Sequence, residues 1–340
     1  MSKHSTRACL IVNARSRRAV AIVSDALPIL RAQGWRVEVR QKHHKGEAAK
    51  LAAVAVGEGF DVVIACGGDG TVSEVVDGVA GTDLAVGTLP GGTANVWAHE
   101  IGVSMRPQVA AMQLAVSERL RIDVGRVKVN GHHGRHFLLM AGLGLDGAIM
   151  QRVSRSLKNR IGPLAVGVAA AEALPSFRAV PVRAELDGAH WQGKVAQIVI
   201  GNTRLYGGFT KLTPDAYIDD GVLDVCFITP GGLMGTTRQA ASLLFRRHPS
   251  EESAELYRAA EVTIHAPQEM PFQLDGGAVH QKHEKLGADG LVYEFSAVPQ
   301  AVTVLVPRTY DRDLLQRGVP GAMEDGRSRK KRKGKRNKDH

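Results

Sequence analysis

The stretch DVVIACGGDGTVSEVV, residues 61–76, decides the fold. Residues 61–66 form a nearly continuous apolar run, the pattern of a strand covered on both faces. Gly67, Gly68 and Gly70 then leave a turn too tight for side chains. Val72, Val75, Val76 and Val79 recur at helical spacing and leave Ser73, Glu74 and Asp77 on the opposite face. Strand, glycine turn and helix in this order suit a phosphate, because the glycines let backbone N–H groups approach the anion and the helix adds its positive end. The competing reading is a plain strand–turn–helix connection. Asp69 weighs against it, since a carboxylate inside an anion-binding turn calls for a metal or a proton-transfer role. The turn is not of the GxxxxGK[ST] type, which occurs nowhere in the chain.

Working outward, strands and helices alternate up to about residue 118. Strands are predicted over 8–13, 35–40, 61–66 and 84–88, and helices over 20–33, 47–56, from 72 onward and over 107–117. Such alternation indicates a parallel sheet flanked by helices. From about residue 120 the segments become strand-like and are punctuated by Asn130-Gly131, Asp187-Gly188, Gly207-Gly208 and Asp220-Gly221. Asn-Gly between RIDVGRVKV and RHFLLMA is a strong hairpin cue. The second half therefore reads as mostly antiparallel β, with one helical interruption at 156–176, a last apolar run at 301–306 and a short helix at 310–317. The fold class expected is α/β followed by all-β.

At 340 residues two domains are the better expectation. Three cysteines make a disulfide framework a poor reading, and Cys9 and Cys66 sit in apolar runs as small core residues of a reducing compartment. No signal peptide is visible, and the longest apolar stretch, 161–174, is shorter than the roughly 20 residues a spanning helix needs. The expectation is a cytoplasmic protein, peripheral at the membrane. The net charge of +10 is concentrated in the tail RSRKKRKGKRNKDH, where nine Lys/Arg face Asp339 alone. Such a tail, read as disordered, suits an anionic membrane surface. Nucleic acid is its less favoured partner, and simple solubilisation the plain alternative.

A second glycine segment, Leu89-Pro90-Gly91-Gly92-Thr93-Ala94-Asn95, also follows a strand and precedes a helix. Thr93 and Asn95 are candidates to hydrogen-bond a nucleotide, or else to cap the next helix. Two such turns at successive strand ends converge on one crevice. Taken in order, GGDGT with SEVVDGV, LPGGTANVWAHEIG, RIDVGRV and GNTRLYGGFTKLTPDAYIDDGVLDV resemble the diacylglycerol kinase catalytic family, which includes bacterial lipid kinases and sphingosine kinases. The resemblance runs from about residue 10 to 307. It implies an NAD-kinase-like nucleotide-binding domain (7–122), a β-sandwich lipid-substrate domain (123–299), a return of 300–318 to the first domain, and the basic tail (319–340).

Carried over by position, the resemblance places ATP on Asn13, Ser16, Gly67, Gly68, Asp69, Gly70, Thr71, Val72, Ser73, Gly92, Thr93 and Asn95. It places Asp123 in a metal and water network. Asp220 and the carbonyls of Tyr217 and Val222 match a structural Mg²⁺ site, whose hard oxygen donors suit that cation; a simple hairpin turn at Asp220-Gly221 is the rival. Asn13 and Ser16 lie in a loop where the family has Asn-Pro-x-Ser-Gly, so Ala14 and Arg17 depart from it. Val96 stands where the family has Asp. Gly277 stands where the family's Asp-Gly-Glu places the Glu that activates the lipid hydroxyl. Glycine cannot accept a proton, which leaves Asp69, Asp275, His280 or Glu284 to take the role, or activity to be weak or absent. A base adds about 10²–10⁴-fold, so its loss does not by itself end phosphoryl transfer.

Three functions stay open on these residues: a Mg-ATP lipid kinase acting on diacylglycerol or a related lipid, an NAD kinase, and a non-catalytic nucleotide or lipid binder. A homodimer is a further candidate assembly. The literal GxGxxG at Gly142–Gly147 lies in β context without a following acidic residue, against dinucleotide binding. His132, His133 and His136, like His280 and His283, lack a metal-ligand complement and read as solvated. The 157–177 segment is either an ordinary buried helix or, as in the family, a border of the lipid site. Deleting residues 327–340 is expected to weaken binding to anionic vesicles in a sedimentation assay, and the difference should shrink as salt rises, because charges are screened over about 8 Å at physiological ionic strength.

Overall fold

The computed structural model describes residues 5–132, 134–152, 172, 178–206, 210–229, 254–279 and 290–316. Apart from residue 172, the predicted helix at 156–176 and the 157–177 lipid-border segment lie outside them, as do Gly207-Gly208, His133, His280, His283, Glu284 and the basic tail. In the first half, β1 (Arg7–Asn13), α1 (Arg17–Ala32), β2 (Arg36–Lys42), α2 (Glu47–Gly57), β3 (Val62–Gly67), α3 (Asp69–Val79), β4 (Ala85–Pro90), α4 (Val96–Glu100) and α5 (Pro107–Ala115) alternate. Then come β5 (Glu118–Val129), β6 (Arg135–Phe137), β7 (Met140–Gly144), α6 (Leu145–Arg152), β8 (Val180–Leu186), β9 (Ala189–Val195), β10 (Gln197–Gly201), β11 (Leu205–Tyr206) and β12 (Thr210–Lys211). The last strands are β13 (Leu223–Ile228), β14 (Ala254–Ala259), β15 (Glu261–Ala266), β16 (Phe272–Leu274), β17 (Gly277–Val279) and β18 (Leu291–Val306).

β1 to β4 form a parallel sheet in the order β2-β1-β3-β4. β1, β3 and β4 are covered on both faces, and for this reason they read as continuous apolar runs. α1 buries Ala19, Ile22, Ala26 and Leu30, positions recurring at three and four residues. α2 and α3 approach closely enough that a Cβ on Gly78 would lie 2.3 Å from the Ala49 carbonyl oxygen.

The same sheet continues into the second half through two long strands. β18 pairs with β15 in its first half, and Thr303 and Val304 pair in parallel with Ala85 and Val86 of β4. β5 runs antiparallel beside β18, with an irregularity between Val298 and Val302. A separate six-stranded sheet, ordered β14-β13-β10-β7-β16-β17, faces the β8, β15 and β18 part. The two enclose a core that includes Phe137, Phe227, Phe272, Tyr293 and Phe295. The result is an α/β unit followed by a β-sandwich. Asn130 and Gly131, both at positive φ, turn β5 into β6 in the hairpin the sequence predicts.

One element differs. The helix expected at 310–317 is absent from the described part, where turns close by Tyr310 N–H to the Pro307 carbonyl and Leu315 N–H to that of Arg312. Arg312 sits at φ 62°, which breaks a helix. The glycines of Gly142–Gly147 serve packing: a Cβ on Gly147 would lie 2.2 Å from the Pro271 backbone, and one on Gly142 would meet the Asp146 carboxylate. All three cysteines are buried, and burial pushes the thiols of Cys66 and Cys226 up to about 12. Among the described residues no helix is long and apolar enough to cross a membrane.

Candidate active site between the two domains

Parallel pairing sets Gly67 beside Pro90, so the turns after β3 and β4 emerge at the same sheet edge. There they touch backbone to backbone. Gly91 N–H donates to the Gly67 carbonyl at 2.7 Å, and a Cβ on Gly92 would lie 2.4 Å from the Gly68 Cα. A Cβ on Gly67 would clash with Thr71. Gly68 begins α3 in extended geometry, and no side chain caps that end. Gly70 is exposed with no atom within 4 Å of its missing Cβ. The start of α3 is thus uncapped by any side chain and lies beside a backbone contact that glycine permits.

The remaining predicted residues of the turns fall into two groups. Asn13, Ser16 and Asn95 brace the loops. Asn13 accepts from Arg15 N–H, Ser16 caps α1 and donates to the Gly91 carbonyl at 3.1 Å, and Asn95 holds both N–H and C=O of Gly92. Asn95 also takes the left-handed conformation, φ 50°, at the start of α4. Asp69 spans the two turns by accepting the Trp97 N–H at 3.0 Å. Thr93 is exposed, whereas Thr71, Val72 and Ser73 are buried, Ser73 to 5% exposure. Arg18, not singled out from the sequence, donates to the Gly92 carbonyl at 3.2 Å. Its charge at the start of α1 opposes the helix dipole but suits a polyphosphate.

The second domain reaches this edge through Asp275. Asp275 and Gly276, at φ 47° and 72°, form the two-residue turn between β16 and β17. The Asp275 carboxylate accepts the N–H groups of Leu138, Leu139 and Met140 at 2.8–3.0 Å, and the Ser73 hydroxyl from α3. Burial raises its pKa, opposed by these four donors. With its oxygens so occupied, Asp275 joins the two domains. One turn further along α3, Asp77 accepts the His136 backbone N–H at 2.8 Å and faces its Nδ1 at 3.1 Å. His136, read from the sequence as solvated, is instead an interdomain contact. Glu74 binds Lys42 at 2.5 Å and the Ala48 N–H, with both charged side chains 8% exposed. Nothing in the local sequence marked these pairs, because their partners lie 26 to 202 residues away. Val96 is buried in α4, and Gly277 lies half-exposed in β17.

Asp123 lies on β5 and is joined to the loop before β13, which carries Tyr217, Asp220 and Val222. Asp123 accepts Gly221 N–H at 2.6 Å and Gln300 N–H at 2.7 Å. Asp220 is ion-paired with Arg258 and accepts the Val222 N–H. The Tyr217 ring lies under the Arg204 guanidinium, 4.8 Å away. Burial pushes the pKa of Asp123 and Asp220 up, and that of Asp224 to about 7. One Asp224 oxygen is buried without a hydrogen-bond donor, 3.5 Å from the Nε of the Arg258 that also pairs with Asp220. Among the described residues no three acidic, histidine or cysteine side chains form a ligand group. A hard cation at this place would rely on main-chain carbonyls as well.

The arrangement is that of two abutting glycine turns facing a second, β-rich domain across a buried seam. Two family models match in succession: the diacylglycerol kinase catalytic domain over residues 7–127, and the YegS C-terminal NAD kinase beta sandwich-like domain over 140–306. The chain is 30% identical to a diacylglycerol kinase of Bacillus subtilis over 275 residues, 79% of this chain and 89% of that one. It is 32% identical over 290 residues to a "Probable lipid kinase YegS-like" protein of Pseudomonas putida, covering 84% and 90%. A solved diacylglycerol kinase from Bacillus anthracis shares the fold with TM-score 0.66 at 19% identity, covering 91% and 100%. The chain belongs to the diacylglycerol kinase catalytic-domain family.

Asp275→Ala is expected to lower stability by about 3 kcal/mol or more, since three backbone donors lose their acceptor inside the protein. Urea unfolding would measure it, and a loss below about 1 kcal/mol would show that the seam does not depend on this carboxylate.

Proposed function

We propose that the chain is an ATP- and Mg²⁺-dependent lipid kinase that phosphorylates a hydroxyl of diacylglycerol or a related lipid. The observation that carries this reading is the abutting pair of glycine turns with the open, uncapped start of α3. ATP phosphates fit there against Gly67, Gly68, Gly70, Thr71, Gly92 and Thr93, with Arg18 adding charge. Asn13, Ser16 and Asn95 hold the loops in place. Asp69, beside the turn, is the carboxylate proposed to act on the transferring group. Asp275 is assigned a positioning role, since its oxygens already accept four protein donors. The proposed division is a nucleotide domain at 7–122 rejoined by 300–318, a lipid domain at 123–299, and a tail at 319–340 that binds an anionic membrane surface from the cytoplasm.

The oxygen donors of Asp220, Tyr217 and Val222, with Asp123 nearby, fit a structural Mg²⁺. Such an ion would supply the positive charge this acidic cluster lacks and steady the loop before β13. The protein's own residues bring the lipid and nucleotide together, and phosphoryl transfer depends mainly on that placement and on charge neutralisation. Gly277 favours a second reading, a nucleotide- and lipid-binding homologue without turnover.

Incubation with γ-labelled ATP, Mg²⁺ and a panel of lipids with NAD included is the decisive assay. Labelled lipid is expected, and Asp69→Ala should reduce it by at least about 10²-fold while the far-UV circular dichroism stays unchanged. Label in NAD alone would overturn the lipid-kinase reading, and ATP binding without any labelled product would support the binding homologue. With diacylglycerol as acceptor, Gly277→Glu should raise turnover with little change in KM for ATP, because a base acts in the transition state. A Cβ there would sit 3.3 Å from the Leu274 carbonyl oxygen, a contact that a small shift relieves. Unchanged turnover would mean that this position does not face the acceptor.

A further inference from the structure

α3 starts at the first glycine turn and α4 at the second, and each helix is tied to the second domain through a carboxylate. On α3 the tie is Asp275, which accepts the Ser73 hydroxyl. On α4 it is Glu100, the last residue of that helix. Its Oε1 accepts the N–H groups of Leu205 at 2.6 Å and of Arg204 at 3.1 Å. Arg204 is itself held, because its Nε donates to the Ala216 carbonyl at 2.8 Å and its guanidinium lies over the Tyr217 ring. The main chain that Glu100 grips is therefore braced from behind.

Glu100 occupies a poor place for a carboxylate. It is half-buried at the C-terminal end of a helix, where the dipole disfavours negative charge. Burial raises its pKa, opposed by the Leu205 and Arg204 N–H groups and by the Arg204 charge. The helix does not need the residue for packing, since Val96, Trp97 and Ala98 supply its buried face. What Glu100 adds is the tie to residues 204 and 205.

The other end of α4 meets Asp69. Trp97, 1% exposed, donates its N–H to Asp69 Oδ1 at 3.0 Å, and no second hydrogen bond to that carboxylate exists among the described residues. The orientation of Asp69 thus rests on where α4 puts Trp97. A helix of five residues is marginal on its own, so its far end must be fastened for its near end to offer a fixed donor. Glu100 lies three residues beyond Trp97, about 4.5 Å along the axis, and does this fastening.

We propose that Glu100 is a positioning residue: by fastening α4 to residues 204 and 205 it holds the Trp97 N–H against Asp69, and so sets the Asp69 carboxylate in the orientation that phosphoryl transfer uses. The use made of Asp69 rests on the kinase reading, whereas the tie itself does not. Both backbone donors meet one oxygen, so the requirement is an acceptor at the reach of a glutamyl side chain, and charge is secondary. Asp keeps the charge but is one methylene too short. Gln keeps both the reach and the acceptor.

Two measurements on the full chain separate the tie from the kinase reading. The first is solvent exchange of backbone amides, followed by nuclear magnetic resonance on protein isotope-labelled at its three tryptophans. Glu100→Ala and Glu100→Asp should speed exchange at Trp97 by at least about tenfold, and Glu100→Gln should leave it near the unaltered rate. Trp35, whose N–H donates to the Leu30 carbonyl, is the internal control. Unchanged exchange at Trp97, or equal acceleration at Trp35, would overturn the tie. If Glu100→Ala does not fold, Glu100→Asp against Glu100→Gln carries the same comparison, and equal exchange in those two would overturn it.

The second measurement is phosphorylation kinetics with diacylglycerol. Glu100→Ala should lower kcat about 10- to 100-fold with KM for ATP kept within about twofold, and Glu100→Gln should restore most of the loss. In the Asp69→Ala background the same substitution should cost less than about twofold, because its effect passes through Asp69. An equal loss in both backgrounds, or a loss confined to KM for ATP, would overturn the positioning role. Faster Trp97 exchange in Glu100→Ala, with no labelled lipid from the unaltered chain, would support the tie and count against the kinase reading alone.

Discussion

The candidate site depends on one buried carboxylate. Asp275 holds three successive backbone N–H groups from the start of β7 and the hydroxyl of Ser73 from α3. A carboxylate in the interior is tolerated only when its lone pairs are satisfied, and here the donors come from both domains. The helix that begins at the glycine turn is thereby fixed to the sheet that bears β17. Asp69, Ser73 and Asp77, spaced by four residues on α3, meet Trp97, Asp275 and His136 in turn. A single helix face thus sets the distance from the glycine turns to the second domain.

The backbone contact between the glycine turns is the other requirement. A Cβ on Gly92 would lie 2.4 Å from the Gly68 Cα, and one on Gly68 would lie 3.0 Å from the Gly92 Cα. This closeness follows from β3 and β4 being adjacent parallel strands with Gly67 in register with Pro90. Ser16, Asn95 and Asp69 then spend their hydrogen bonds on holding the loops, which leaves N–H groups at the start of α3 for a ligand. Preorganised donors of this kind cost no reorganisation when charge develops.

Much of this was legible in the chain. Residues 61–76 show strand, turn and helix directly, because apolar periodicity and glycine are local signals. Asn130-Gly131 marked its hairpin for the same reason. The helix expected at 310–317 failed where Arg312 adopts a positive φ, a choice made by the packing of Tyr310 and Leu314 and not by propensity. His136 read as a surface histidine because Asp77, its partner, is 59 residues away.

The sequence by itself determined the order of elements, the two glycine turns, the absence of a residue able to take a proton at position 277, and the tail where the excess charge resides. These are properties of residue type and spacing, and no folding is needed to see them. Only the tertiary structure decided that the carboxylate of Asp275 is saturated by four donors, that β18 ties the sandwich to β4, and that Lys45 reaches the strand bearing Gly277. Those facts depend on which distant groups share a low-dielectric interior, where each charge and donor must find a partner, and spacing along the chain carries no record of that.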